Sequence, residues 1–286
     1  MAYAVGLDIG GTTIRGVVTN KQGKVIGSTK LRTGKTKKIV LENIKEILDG
    51  LFEVSDKKKI KRVGVGFAGF ADENGKVIFS PNTPIVGCNL KQFVRKWTKK
   101  SVVAENDANC FVVAEHAFGA GRGYENIVGI VIGTGIGGGI IVNNKLYTGL
   151  NNSAGEVGHT FVGPDNNTKD VEYYASGRQL IKRYKLLGGK LKDPRLNDLK
   201  ISKERIAKKV YQESYSLWAR ICANVIMTLN PQVVIIGGGV ANDIDFPLLR
   251  KETKRLVIQP LAKNTKISSA KLGELSGAIG AARLSL

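Results

Sequence analysis

Histidine, cysteine and methionine are scarce in this 286-residue chain, which has two, three and two of them respectively. The cysteines Cys88, Cys110 and Cys222 are odd in number, far apart and without any CxxC pairing. This pattern argues against a disulfide framework and against a zinc site recognisable from sequence. It is typical of a protein kept in a reducing interior.

Long hydrophobic runs are also missing. The longest uncharged apolar run, residues 127–142, contains six glycines and is shorter than the ~18 residues that a membrane-spanning helix needs. The first residues lack the basic segment of a secretory signal and lead straight into a strand pattern. The sequence therefore predicts a soluble, cytoplasmic protein without a membrane partner.

Acidic residues are few: 24 Asp and Glu stand against 44 Lys and Arg, a formal net charge of +20. Such an excess raises nucleic acid, anionic membranes and phosphorylated substrates as candidate partners. The basic residues, however, are spread over helix-like stretches with apolar residues at i, i+3 and i+4, a pattern typical of solvated helix faces. Aromatic residues do not alternate with them as a nucleic-acid stacking surface requires. We therefore expect no nucleic-acid partner.

Glycine, by contrast, is abundant, with 35 residues or about 12% against a usual ~7%. Much of it falls in two similar segments, residues 5–20 and 129–144, which each predict a strand, a glycine-rich turn and a second strand. A third strand follows each, and then matching helices (39–52 and 203–229), strands (63–67 and 233–236), helices (90–99 and 246–261), strands (102–104 and 266–269) and last helices (108–118 and 277–284). The chain thus predicts two copies of a β-β-β-α-β-α-β-α unit.

The copies differ in length. They are offset by about 124 residues at the hairpins but by about 169 at the fourth strand, so about 45 extra residues lie between residues 148 and 200. We expect an N-terminal domain, residues 1–106, onto which a C-terminal helix at about 275–286 can pack back. The remaining domain, residues 107–274, carries the insert at about 148–200, and ligands are expected in the cleft between the two domains.

The glycine turns DIGGTT (8–13) and GTGIGGG (133–139) are candidate phosphate sites, because glycine lets backbone N–H groups approach phosphate oxygens. A tight hairpin turn needs glycine as well, but recurrence at equivalent places favours phosphate binding. Residues 133–138 also match GxGxxG, yet residues 140–142 continue as a strand, and no GxxxxGK[ST] occurs. Nicotinamide and P-loop binding are therefore not expected.

Seven segments, in this order along the chain, resemble the ROK (repressor–ORF–kinase) family of sugar kinases. They are LDIGGTTIR (7–15), GFAGFAD (66–72), SPNTP (80–84), ENDAN (105–109), the 133–139 turn, GEVGH (155–159) and EYYASG (172–177). The resemblance covers nearly the whole chain. It implies an α/β protein with the duplicated actin-like ATPase (ribonuclease H-like) fold.

The resemblance further implies that Asp107 is the general base that accepts the proton of a sugar 6-hydroxyl. Taken alone, Asp107 also fits a helix N-cap. The residues that would bind the sugar are Gly69, Asn82, Asn106, Asp107, Glu156, His159 and Glu172. For His159 the alternative is a structural histidine, and for Glu156 a solvated surface carboxylate.

For the nucleotide, the resemblance implies that Asp8 orients Mg²⁺ through water near the β- and γ-phosphates. The residues that would contact ATP are Asp8, Gly10, Gly11, Thr12, Thr13, Thr134, Gly135, Gly237, Gly238 and Gly239. The last three also fit an ordinary strand-to-helix turn. Arg15 has a hexokinase-like position without an assigned role.

One segment departs from the family, which commonly has a cysteine-rich zinc loop between the equivalents of His159 and Glu172. Here residues 160–171 lack cysteine. Because thiolates dominate structural zinc sites, we expect no zinc, and His159 is left free for the sugar.

The sequence therefore predicts an ATP- and Mg²⁺-dependent kinase for the 6-hydroxyl of a hexose, with glucose as the first choice. The alternatives are an N-acetylated aminohexose, mannose or fructose as substrate, or a non-catalytic, sugar-responsive regulator. The first predicted strand starts near Tyr3, which leaves no room for the N-terminal DNA-binding helices of such regulators. The resemblance also implies a homo-oligomer, a dimer or larger.

Overall fold

A computed structural model of the chain describes residues 3–55, 58–162 and 169–286. Its strands are β1 (Tyr3–Ile9), β2 (Thr13–Asn20), β3 (Val25–Arg32), β4 (Ile60–Phe67), β5 (Phe70–Ala71), β6 (Val77–Phe79), β7 (Ser101–Asn106), β8 (Ile127–Ile132), β9 (Ile136–Val142), β10 (Lys145–Tyr147), β11 (Val233–Gly237) and β12 (Lys266–Ser269).

The helices are α1 (Lys37–Val54), α2 (Leu90–Thr98), α3 (Asp107–Phe118), α4 (Val171–Ala175), α5 (Gly177–Leu186), α6 (Leu196–Ile201), α7 (Arg205–Leu229), α8 (Phe246–Leu256), α9 (Gln259–Asn264) and α10 (Ser276–Leu284). Within the described residues, none of these helices combines the length and the apolar character that crossing a membrane requires.

Two five-stranded mixed sheets repeat one topology, with orders β3-β2-β1-β4-β7 and β10-β9-β8-β11-β12. In the first sheet β1 pairs antiparallel with β2 and parallel with β4, and in the second β8 pairs antiparallel with β9 and parallel with β11. The predicted duplication of a β-β-β-α-β-α-β-α unit is thereby confirmed, as is the α/β class.

Side-chain alternation along β1 decides what each face of the first sheet contacts. Val5 and Leu7 join the apolar cluster formed with α1 and α2 on the outer face. Ala4 points the other way and packs against α10. Because strand side chains alternate with a period of two, Asp8 shares this inner face with Ala4. The strand pattern itself therefore turns one carboxylate towards the middle of the molecule.

Helices α3 and α10 lie between the two sheets, and each packs on the sheet of the other half. Helix α3 lies on β8 and β9, whereas α10 lies on β1 and β4. The two helices touch where a Cβ on Gly280 would lie 1.7 Å from the carbonyl oxygen of Cys110. The division of the chain at residue 106 stays a prediction, but these contacts interlock the two halves.

Some elements differ from the sequence-based expectation, and helices α4, α5 and α6 of the insert were not predicted. The helix predicted at residues 246–261 is two helices, α8 and α9, separated at Val257 and Ile258. Pro260 sits in the first turn of α9, where its missing N–H costs nothing, whereas inside one continuous helix it would remove a hydrogen bond. The hairpin of β5 and β6 was not predicted, because its strands of two and three residues are too short to show a period.

The packing of α10 on the first sheet makes a testable prediction about two glycines. A Cβ on Gly64 would lie 1.8 Å from the carbonyl oxygen of Ala281, whereas one on Gly50, inside α1, would meet nothing within 4 Å. We expect Gly64→Ala to lower the free energy of unfolding by about 3 kcal/mol through overpacking. Gly50→Ala should raise it by about 0.5–1 kcal/mol through helix propensity. Urea denaturation measures both, and equal effects would contradict the close packing.

Candidate active site

Most of the polar groups named by the sequence converge between the carboxyl ends of β1, β4 and β7 in the first sheet and of β11 in the second. Two cavities open there, of about 190 and 560 Å³. Asp107, at the junction of β7 and α3, lines both of them. The carboxyl ends of parallel strands are where sheet proteins of this kind bind ligands.

The smaller cavity gathers all seven predicted sugar contacts and four of the predicted nucleotide contacts. Its predicted lining residues are Gly10, Gly11, Gly69, Asn82, Asn106, Asp107, Thr134, Gly135, Glu156, His159 and Glu172. The larger cavity is lined by Asp8, Asp107 and the turn Gly237, Gly238 and Gly239. Thr12 and Thr13 lie in and just after the β1–β2 turn, but line neither cavity. The predicted phosphate contacts are thus divided between the two cavities.

Cavity size alone does not single out this place. Cavities of about 570 and 1080 Å³ lie elsewhere, and their lining includes none of the predicted sugar- or nucleotide-binding residues. The convergence of carboxylates, amides and glycine turns is what marks the edge at Asp107 as the candidate site.

Asn106 fixes the start of α3. Its Oδ1 accepts hydrogen bonds from the backbone N–H groups of Ala108 (2.8 Å) and Asn109 (3.2 Å), and its Nδ2 donates to the carbonyl of Gly69 (3.1 Å). The N-cap of α3 is therefore Asn106, and the alternative interpretation of Asp107 as the cap is wrong. Asp107 is the first helical residue, and its Oδ1 accepts from the Ala108 N–H at 2.9 Å.

Asp8 and Asp107 interact electrostatically. Burial, followed by repulsion from the Asp107 carboxylate, raises the pKa of Asp8 from 3.8 to about 7, while Arg15 opposes the shift. Burial likewise raises the pKa of Asp107, against the effect of the Ala108 hydrogen bond. Because two nearby negative charges repel each other, a cation bound beside them would stabilise the state in which both carboxylates are ionised. A raised pKa also makes a carboxylate a better proton acceptor near neutral pH.

Glu172 is held by the second glycine turn. Its Oε2 accepts the Ile136 N–H at 2.7 Å, and a Cβ on Gly135 would lie only 2.5 Å from that oxygen. Gly135 is thus needed for a steric reason in addition to the predicted phosphate contact. The turn and the carboxylate it holds face the same cavity.

Glu156 and His159 are brought together by a 3₁₀ turn at Val157–His159, with the ring Nε2 4.0 Å from Glu156 Oε2. The other ring nitrogen, Nδ1, lies 2.8 Å from Asp170 Oδ2, and this hydrogen bond raises the pKa of His159. Burial raises the pKa of Glu156, with His159 opposing. Both side chains line the small cavity.

Two contacts between the halves were not predicted. Arg178, at the start of α5, donates from Nη2 to Asn82 Oδ1 at 3.3 Å, and Arg15 reaches Glu274 Oε2 at 3.1 Å. Arg15 and Glu274 both line the larger cavity. Each pair joins residues far apart in sequence, so only the folded chain reveals it.

The residues present fit Mg²⁺ bound mainly through water and phosphate oxygens, because Asp8 supplies a hard carboxylate ligand. Among residues 3–55, 58–162 and 169–286, no three or more His, Cys, Asp or Glu side chains are grouped to hold a metal by themselves. Of the segment for which the sequence predicts no zinc, residues 163–168 lie outside the described part of the chain.

Fold and site define a two-domain α/β protein with the actin-like ATPase fold. Residues 4–286 match the family model described as ROK family, and the chain belongs to this family. The predicted family and fold are thereby confirmed.

The relatives include two kinds of sugar kinase and a repressor. The chain is 33% identical to a glucokinase from Thermotoga maritima, covering 98% of this chain and 96% of that protein. It is 28% identical to an N-acetyl-D-glucosamine kinase from Photobacterium profundum, covering 98% of each. It is also 28% identical to a xylose repressor from Bacillus spizizenii, covering 97% of this chain and 75% of the repressor.

Among solved structures, a ROK family glucokinase from Streptomyces griseus in complex with glucose and AMPPNP superimposes with a TM-score of 0.87. The two sequences are 30% identical, and 99% of each chain is covered. The similarity therefore extends over both halves and the insert.

The raised pKa of Asp8 makes a prediction about stability. Since the folded-state pKa of about 7 exceeds the ordinary 3.8, wild-type stability falls as pH rises through this interval. Asp8→Asn removes this dependence, so its stability relative to wild type should improve by about 1–3 kcal/mol between pH 5 and pH 8, allowing for partial solvent screening. Urea denaturation at both pH values measures the difference. The exposed control Glu46→Gln should show no such trend.

Proposed function

We propose that this protein is an ATP-dependent hexose kinase that transfers the γ-phosphoryl group of ATP to the 6-hydroxyl of glucose. The observation that carries the proposal is the place of Asp107, which lines both a small cavity rich in sugar-type hydrogen-bonding groups and a larger cavity edged by a glycine turn. A group between two substrates can accept a proton from one as it attacks the other.

The smaller cavity suits a monosaccharide. Its 190 Å³ is the room of about six waters and lies below the roughly 300 Å³ at which pockets for drug-sized ligands begin. Carboxylates of Glu156 and Glu172 and the amide of Asn82 offer the acceptors and donors that sugar hydroxyls require. We assign this cavity to the hexose.

The larger cavity suits the nucleotide. Gly238 has φ +90°, a conformation that favours glycine, and a Cβ on Gly239 would meet nothing within 4 Å, so the turn leaves open space at its surface. Asp8 and Arg15 lie at the same cavity, where the β- and γ-phosphates would come close to Asp107. Mg²⁺, when bound, would neutralise phosphate charge beside Asp8.

In the proposed reaction, Asp107 accepts the proton of the 6-hydroxyl while that oxygen forms a bond to the γ-phosphorus. The bond from the γ-phosphorus to the β–γ bridging oxygen breaks, and ADP leaves with the electron pair. Burial supports this role, because it raises the pKa of Asp107 and so strengthens it as a base. Positioning by the two cavities supplies the in-line geometry on which phosphoryl transfer mainly depends.

Glucose is the proposed substrate because the relative with 33% identity is a glucokinase, whereas the N-acetyl-D-glucosamine kinase relative shares 28%. An ATP-consumption assay with glucose, N-acetylglucosamine, mannose and fructose tests the choice. We expect the highest kcat/KM with glucose. Turnover confined to N-acetylglucosamine would move the assignment to that sugar, and no turnover with any hexose would overturn the kinase proposal.

Asp107→Asn separates chemistry from binding. The amide keeps the size of the side chain but cannot accept the proton, so kcat should fall by about 10²–10⁴-fold. The Kd for glucose, measured by calorimetry, should stay within a few-fold of wild type. Asp49→Asn, the same change on the exposed face of α1, is the matched control and should leave kcat unaltered. Loss of glucose binding in Asp107→Asn would instead indicate a structural role.

The second candidate is a sugar-responsive regulator, which the xylose repressor among the relatives favours. Duplex DNA binding that persists at physiological salt, with no sugar phosphorylation, would support it over the kinase.

We further propose that the protein forms a dimer or larger assembly, which sedimentation or light scattering can measure.

A further inference from the structure

Asp170 uses its two carboxylate oxygens for two different partners. Oδ2 lies 2.8 Å from Nδ1 of His159, and Oδ1 accepts the backbone N–H of Tyr173 at 2.9 Å as the N-cap of α4. Its backbone also forms an isolated antiparallel bridge with Phe161. One residue outside the cavity lining therefore contacts both the histidine of the 3₁₀ turn and the start of the helix that follows.

Both partners lead directly to the small cavity. His159 lines it, and Glu172 lines it from the first turn of α4, the helix that Asp170 caps. Glu172 is in turn fixed by the Ile136 N–H at 2.7 Å. Asp170 thus holds the His159 ring directly and caps the first turn of the helix that carries Glu172.

The charges around His159 explain why this carboxylate matters. The acidic groups that act on the ring are Asp170, Glu156 and Glu172, and the last two line the cavity. Asp170 draws the Nδ1–H away from the cavity, which leaves Nε2 on the side of Glu156. Without Asp170, the remaining acids would draw a ring N–H into the space assigned to the sugar.

We propose that Asp170 is a positioning residue for sugar recognition, which holds His159 in the Nδ1–H tautomer with Nε2 presented to the cavity and caps the helix that carries Glu172. The inference rests on the proposed function for its kinetic consequence but not for its structural one. The side chains of His159 and Asp170 are 44% and 27% exposed, and ion pairs so exposed contribute little to stability. Orientation of the ring is the property that the pair controls.

The variant Asp170→Asn tests whether Asp170 sets the orientation and the tautomer of the His159 ring. Asparagine caps helices as well as aspartate does, so its single oxygen can keep the Tyr173 contact. Its amide N–H₂ then faces Nδ1 of His159 and favours the opposite, Nε2–H tautomer. Asp170→Ser also retains a capping oxygen but is too short to reach the ring. Asp245→Asn, the same change at the N-cap of α8, is the matched control.

Nitrogen NMR of the ring reads the tautomer directly, and the chain has only two histidines, so His116 serves as an internal reference. In wild type, at a pH where the ring is neutral, we expect the Nδ1–H tautomer, and titration should give a pKa of His159 above its ordinary value because of the Asp170 hydrogen bond. In Asp170→Asn the tautomer should reverse and the pKa of His159 should fall, while His116 and the Asp245→Asn control stay unchanged.

The kinetic expectation is a rise of about tenfold in the KM for the sugar in Asp170→Asn and Asp170→Ser, with the KM for ATP and the urea midpoint close to wild type. An unchanged tautomer and an unchanged sugar KM would overturn the proposal. Loss of sugar binding with a lowered urea midpoint and an unchanged tautomer would also overturn it, because capping alone would then explain the effect. If the wild-type protein is inactive on every sugar, the proposed function is refuted. The NMR comparison of wild type with Asp170→Asn still decides whether Asp170 sets the tautomer of His159.

Discussion

The close approach of α10 to the first sheet is the constraint on which the rest of the structure depends. Glycines make it possible: a Cβ on Gly6 would lie 1.9 Å from the Ala278 carbonyl oxygen, and one on Gly64 would lie 1.8 Å from that of Ala281. Helix α10 in turn touches α3 at Gly280, so the first sheet, α10, α3 and the second sheet form successive layers. Asp8 ends up beside the first turn of α10, and Asp107 begins α3. The spacing of the two carboxylates is therefore set by backbone contact.

Acidic side chains line the cavities of a molecule that is strongly basic as a whole. The chain carries a net charge of +20, yet the carboxylates of Asp107, Glu156 and Glu172 line the small cavity. A neutral ligand rich in hydroxyl groups meets acceptors there without a charge conflict, while an anionic ligand is attracted by the surrounding positive potential. The raised pKa values of Asp8, Asp107 and Glu156 show how far burial opposes ionisation in this region. The positive charge of the molecule thus favours an anionic ligand, whereas the carboxylates of the small cavity favour a neutral ligand with hydroxyl groups.

Much of the architecture could be predicted because alternation and repetition are local signals. The two similar strand–turn–strand segments, residues 5–20 and 129–144, and the matching helices and strands after them were enough to predict the duplicated β-β-β-α-β-α-β-α unit. The residues around Asp107 were predicted from motif resemblance, which gives their order along the chain but not their contacts in the fold. Contacts between distant residues, such as Arg178 with Asn82 and Arg15 with Glu274, depend on how the halves meet, and no local pattern encodes them. The capping of α3 by Asn106 was missed for a smaller reason, since adjacent Asn and Asp are equally good N-caps.

Duplication of the fold does not produce two equivalent sites, and the sequence shows why. At the offset of about 124 residues, the counterpart of Asp8 is Ile132, which is buried in the core of the second half. The second half contributes instead through its insert, where α4 brings Glu172 to the cavity and α5 brings Arg178 to Asn82. Asp8 of the first copy thus lines the larger cavity without an acidic counterpart at Ile132, and the insert of the second copy adds Glu172 at the smaller cavity. Divergence between the copies, acting on a shared backbone plan, is what converts a symmetric scaffold into a cleft with two different ends meeting at Asp107.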